Sequence, residues 1–262
     1  QVYLELFYKN ALLDTNKIIF GVLFGTIKGT LKITGTNTYG NKLTASIDDL
    51  DPDDATLTYQ WYSNTSNNTS GGTIISGATS KDYTIGSGLV GQYIYVVVTA
   101  KKPNYDDKTF TKITDKDENG TDKVAAKKIT VPTAATNLIY NGNSQTGVTG
   151  LNGVYTVTNG AKIDAGNYTA TAVLVDKTNT VWSDTNNTTD KTINWSIAQK
   201  SVAVTWGTTV TWEYDGNPHI PTATANSGVS GETIELTVTE AKTNVGSYTA
   251  TASISRVTGG QA

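Results

Sequence analysis

The feature that most constrains this chain is that it repeats itself. Residues 164–172 read Asp-Ala-Gly-Asn-Tyr-Thr-Ala-Thr-Ala, and residues 244–252, 80 positions later, read Asn-Val-Gly-Ser-Tyr-Thr-Ala-Thr-Ala. A more distant version, Leu-Val-Gly-Gln-Tyr-Ile-Tyr-Val-Val, occupies 89–97, 75 positions before the second. A further landmark, Tyr140-Asn141-Gly142-Asn143, returns as Tyr214-Asp215-Gly216-Asn217. Such a chain is a tandem array of repeats of about 80 residues, each folding on one shared plan.

Within each repeat the texture is β. Short alternating runs rich in Val, Ile, Thr and Tyr are punctuated by Gly, Asn and Asp, which predicts strands at 57–62, 93–99, 168–175, 192–197, 202–206 and 233–238. No segment sustains a 3.6-residue period, and Thr and Asn are poor helix formers, so an all-β fold is expected.

Composition removes whole classes of function. There is no Cys, hence no disulfide, thiolate nucleophile or Cys-ligated zinc, and the one His cannot build a multi-His metal centre. Only 16% of residues are charged, with a net charge of −3, so there is no electrostatic basis for binding nucleic acid or an anionic membrane. No apolar run reaches the roughly 18 residues a spanning helix needs, the longest being 18–24, so no membrane span is expected. With no initiator Met and no signal-peptide pattern, the sequence reads as a mature or excised part of a longer polypeptide.

Asp164-Ala165-Gly166-Asn167-Tyr168 resembles the tyrosine corner of immunoglobulin-like sandwiches, where a Cys would follow two residues on; here Tyr95, Ala170 and Ala250 hold that place. Tyr59-Gln60-Trp61-Tyr62 resembles the strand that carries the buried Trp of that fold, 32 residues before Tyr93. More narrowly, Ile33-Thr34-Gly35, Leu57-Thr58-Tyr59-Gln60-Trp61 and Ile75-Ser76-Gly77-Ala78-Thr79 resemble one bacterial Ig-like pattern. The later Tyr-(Asn/Asp)-Gly and Gly-Xaa-Tyr-Thr-Ala-Thr landmarks resemble the MBG and YDG repeat types of bacterial surface and secreted proteins. The resemblance implies tandem Ig-like β-sandwich domains in an elongated array, with Trp61, Tyr93, Tyr168 and Tyr248 as structural landmarks.

It also implies an extracellular or cell-surface location and a non-enzymatic structural or adhesive role, such as a rod or stalk. The alternative is a glycan- or protein-binding accessory domain of a secreted enzyme or adhesin. The partners implied are neighbouring Ig-like domains, identical subunits head to tail, and a host or matrix glycan or protein. Boundaries follow from the repeat spacing: an N-terminal extended segment at 1–28, a first repeat at 29–114, a charged linker at 115–125, a second repeat at 126–199 and a third, shortened one at 200–262.

Three constellations carry candidate chemistry. Asp115-Lys116-Asp117-Glu118-Asn119-Gly120 offers side-chain oxygens at alternate positions before a Gly, the arrangement a Ca²⁺ loop uses, but the closing Glu is replaced by Ala126. A calcium site of Asp115, Asp117, Asn119 and Asp122, stiffening the connector, and a flexible charged linker both fit that composition; no other cofactor and no catalytic residue is expected. Trp61, Trp182, Trp195, Trp206 and Trp212 suit either core positions or a sugar-stacking platform. His219, between two prolines, reads as a turn side chain.

The third constellation is at the ends. Val2, Leu4, Leu6 and Tyr8 share one face of a strand, as do Ile18, Phe20, Val22 and Phe24, yet residues 1–28 belong to no repeat. The third repeat is short of closing strands. Strand exchange, in which the N-terminal segment of one subunit completes the third repeat of the next, answers both defects and leads to a filament.

Overall fold

The structure, a computed structural model, describes residues 21–116 and 122–259. It is all-β: among the described residues there is no helix, and the strands form several small sheets. All six strands expected from alternation are present, with ends shifted by two residues at most. The chain divides into two compact units. The first runs to Lys127 and takes in Thr178–Thr180; the second comprises Lys128–Lys177 and the chain from Val181 onward.

In the first unit, β1 (Gly25–Thr26) pairs in parallel with β8 (Tyr105–Asp106). One sheet contains β2 (Lys28–Thr34), β3 (Lys42–Asp51) and β6 (Asp82–Thr84), in the order β2-β3-β6. The other contains β4 (Thr56–Asn64), β5 (Thr73–Ile74), β7 (Tyr93–Lys101) and β9 (Lys108–Ile113), in the order β5-β4-β7-β9. Alternation in β7 sends Ile94, Val96, Val98 and Ala100 to one face, and all four are fully buried. The first three meet Leu31 of β2, Leu43 and Ala45 of β3 and Trp61 of β4 in one core, so the two sheets pack as layers. Trp61 donates its indole N–H to the Ser80 carbonyl at 2.9 Å, which satisfies the one polar group it buries.

Of the segment expected to be a charged linker, the described residues 122–125 pack into the first unit. Val124 is 2% exposed and joins the core, while Thr38 and Ala125 form a parallel bridge.

The second unit contains β10 (Lys127–Ile129) through β20, with Lys127 of β10 and Thr180 of β15 falling to the first unit. Its central sheet is β12 (Tyr155–Thr158), β14 (Gly166–Leu174) and β16 (Lys191–Ile197), in the order β12-β14-β16. β11 (Gln145–Thr146) pairs with β13 (Ala161–Lys162), and β15 spans Thr180–Trp182. Ala170, Ala172 and Leu174, alternate residues of β14, are buried against Trp182 on one side and Trp195 and Ile197 on the other. In the third repeat β17 (Val204–Trp206) pairs with β18 (Ala223–Ala225), and β19 (Thr233–Val238) with β20 (Ala252–Thr258). Among the described residues, no apolar side chain beyond Ile197 is buried. The third repeat has strands but no core of its own.

The tyrosine corners form twice with the same geometry. Tyr168 donates its hydroxyl to the Asp164 carbonyl at 2.7 Å, and Tyr248 to that of Asn244 at 3.0 Å. Each ring also carries a lysine ammonium over its face, Lys162 at 5.9 Å and Lys242 at 6.0 Å. Tyr93 is half-buried beneath Lys123.

Candidate functional site

The third repeat contains a groove of about 590 Å³ walled by Trp206, Trp212, Tyr214 and Tyr248, with Ala250 and Pro221 among its apolar lining and Glu240 and Lys242 among its polar lining. The five tryptophans therefore fall into two groups. Trp61, Trp182 and Trp195 are core residues at 5% exposure or less, while Trp206 and Trp212 are about 40% exposed and line the groove. Trp206 and Trp212 thus contribute apolar surface to the wall of the groove.

The second repeat shows what each wall is. The landmark Tyr140-Asn141-Gly142 matches Tyr214-Asp215-Gly216, so Leu138 matches Trp212, Gln145 matches His219 and Gly147 matches Pro221. After the intervening loop the match moves to 80 residues, pairing Asn159 with Thr239, Lys162 with Lys242, Tyr168 with Tyr248 and Ala170 with Ala250. The structure bears the alignment out: Gln145 pairs with Lys162 and His219 bridges Lys242, both antiparallel. In the second repeat these positions surround Trp195. Its ring lies 4.9 Å from that of Tyr168, its N–H donates to the Asn159 carbonyl at 3.1 Å, and it fills the space over Gly147, where no Cβ would fit. Ala170 is fully buried there, while Ala250 is only partly covered.

One rim of the groove is a polar turn. Asp215 accepts from the Asn217 backbone N–H at 2.8 Å and from the Asn217 side chain at 3.2 Å, and pairs with His219 Nε2 at 2.8 Å; the imidazole stacks on Trp212 with ring centres 5.4 Å apart. The hydrogen bonds from Asn217, then the one from His219, hold the Asp215 carboxyl down at about 2 instead of its ordinary 3.8. Because the folded value is the lower one, the turn is held in place above the ordinary carboxylate range and released as pH falls towards 2. Carbon-detected NMR should show Asp215 titrating near 2, with the Trp212 indole signal moving in step. A midpoint at about 4 would mean that the turn does not form in solution.

Other sequence candidates lie elsewhere. Asp115 is ion-paired with Lys112 at 2.6 Å, and the Asp122 carboxylate accepts from Asn67 Nδ2 at 2.5 Å, while its backbone carbonyl accepts from Asn37 at 2.7 Å. Asp117 and Asn119 lie outside the described residues, and among the described residues no group of three or more His, Asp or Glu is placed to hold a metal. In the acidic stretch at 48–54, Asp48 of β3 pairs with Lys32 and Asp54 with Lys102. Of the strand-exchange candidates, Val2, Leu4, Leu6, Tyr8, Ile18 and Phe20 lie outside the described residues, whereas Val22 and Phe24 are 87% and 65% exposed.

Among the described residues no helix is long and apolar enough to cross a membrane. No protein-family model matches the chain, and no curated protein matches it in sequence, so the meaning of the groove rests on its residues and on the repeat beside it.

Proposed function

We propose that the chain is a run of tandem immunoglobulin-like modules from a bacterial extracellular protein, serving as a non-enzymatic spacer or stalk in adhesion. The observation that carries this reading is that successive repeats use one strand plan. The first repeat has sheets β2-β3-β6 and β5-β4-β7-β9, which correspond to strands A-B-E and C′-C-F-G of an Ig-like sandwich. The second repeats the essentials, with β11-β13 for B-E and β12-β14-β16 for C-F-G. In the third, β19-β20 stands where β12-β14 stands in the second, with the same corner tyrosine. Modules of one plan joined in series give length without needing a site.

Small-angle scattering tests the spacer. A single globule of this length would have a radius of gyration of about 18 Å. Three modules end to end, each with strands roughly 30 Å long, should give about 30 Å. A dilute monomer at the lower value would sink the spacer role.

A further inference from the structure

The second and third repeats are joined by more than the chain that links them. Tyr140, in the landmark Tyr140-Asn141-Gly142, packs its ring against the core of Val148, Ala170, Trp195 and Ile197 in its own repeat. Its hydroxyl points away from that core and donates to Glu232 Oε1, in the loop 226–232 between β18 and β19 of the next repeat. Two residues on, Gly142 takes a left-handed φ of 76°, and Val229 of the same loop fills the space where a side chain at 142 would stand.

Both sides of this contact are held from within. On one, Tyr140 N–H donates to the Ala198 carbonyl at 2.9 Å and Gln145 Nε2 to the Ile139 carbonyl at 3.0 Å, while Asn143 N–H donates to Asn141 Oδ1 at 2.9 Å. On the other, Gly228 N–H donates to Asn226 Oδ1 at 2.7 Å, Val229 N–H to Ser227 Oγ at 3.0 Å and Glu232 N–H to the Val229 carbonyl at 3.2 Å, with Ser227 buried. The connector is short, residues 199–203, because Ala198 is still bonded to Leu138 and Tyr140 and β17 begins at Val204. Lys200 of that connector lies beside Gly228 and adds a positive charge near Glu232.

We propose that Tyr140-Asn141-Gly142 is a docking socket, that its partner is the loop 226–232 of the repeat that follows, and that this joint holds the second and third repeats in one fixed orientation. Phe at 140 would serve the core of the second repeat as well; the hydroxyl serves the third. A connector alone lets two modules bend and twist about it, whereas a hydrogen bond to a charged acceptor and a packed Val beside the connector restrict both motions. This deepens the spacer reading and rests on it for its purpose, since a stalk gains reach from stiff joints. The charges agree with a standing contact. The hydrogen bond from Tyr140, then that from Ser227, with Lys200 adding attraction, holds the Glu232 carboxyl below its ordinary 4.5. The bond to Glu232, then burial, with the charges of Glu232 and Asp164 adding to both, pushes the Tyr140 hydroxyl above its ordinary 10.0. Glu232 therefore supports the joint above the ordinary carboxylate range and ceases to as pH falls through its lowered value, while Tyr140 supports it up to the ordinary tyrosine range and ceases to as pH rises through its raised one.

The test uses the 262-residue chain, which has no Cys of its own. Nitroxide labels on Thr156→Cys of β12 and Thr237→Cys of β19, both exposed positions, report the distance between the two repeats by pulsed electron resonance. The labelled parent should give one narrow distance distribution at neutral pH and a broad one at about pH 3, below the ordinary range for Glu. Tyr140→Phe, Glu232→Ala and the two together should each replace the narrow distribution with a broad one of equal width, because all three remove one shared interaction. Gly142→Val, which evicts Val229, should do the same. Should Gly142→Val disturb the second repeat itself, Tyr140→Phe decides alone, since it removes one oxygen and leaves the ring in its core. A parent that is already broad at neutral pH, Tyr140→Phe and Glu232→Ala variants that stay narrow, or widths that add in the double variant as separate effects would, each overturn the proposal. Scattering reads the spacer role separately: a narrow distribution in a compact chain removes the spacer and leaves the joint, and a broad one in an extended chain does the reverse.

Discussion

Trp61→Ala should destabilise the first unit by about 3–5 kcal/mol, the range for removing a fully buried Trp from a packed core. The ring is 0% exposed, stacks on Tyr83 with centres 5.5 Å apart and touches a core assembled from both sheets. Truncation opens a void between the layers and strands the Ser80 carbonyl that the indole N–H satisfies. Against a typical domain stability of about 5–15 kcal/mol, the loss is about a fifth or more of what holds the unit folded. Urea titration followed by circular dichroism should show a lowered midpoint with an unchanged slope. A change of under about 1 kcal/mol would mean that the layers close over the gap and that Trp61 does not organise them.

Trp195→Ala should cost the second unit a similar amount, about 3–5 kcal/mol, with an additional signature. Removing this ring takes away the cover over Tyr168 and leaves the Asn159 carbonyl without its donor. The second repeat would then present the kind of aromatic groove that the third already has. A hydrophobic dye should bind the variant more strongly than the parent, and a bound dye that reports no new groove would show that the surrounding strands collapse inward instead.

Much of the architecture was legible in the sequence because β alternation and the repeated corner are local patterns. Ile94, Val96 and Val98 announce their strand without reference to anything distant. The tryptophans were not separable in that way. Trp195 and Trp212 both sit in strand-like polar surroundings, and what buries Trp195 is contact with residues distant in sequence, the ring of Tyr168 and the carbonyl of Asn159. The Asp-Xaa-Asp-Xaa-Asn-Gly spacing was visible, but the pairing of Asp115 with Lys112 and of Asp122 with Asn67 is decided by tertiary folding. Val124, one apolar residue after a charged run, gave little warning that it enters the core. The place of His219 was within reach: aligning Tyr140-Asn141-Gly142 with Tyr214-Asp215-Gly216 puts it on Gln145, a residue of the β11-β13 ladder, instead of in an isolated turn.

The parallel closure of the second repeat also bears on how the module carries load. Ala198, near its exit, is hydrogen-bonded alongside Leu138 and Tyr140, close to its entry, and the two segments run in the same direction. A pull on the two ends of the module therefore slides these segments past each other and strains their bonds together, in shear, where an antiparallel pairing of the ends would peel open one bond at a time. Forced unfolding is governed by the unfolding rate, so under tension this pairing would act as a mechanical clamp between the two segments.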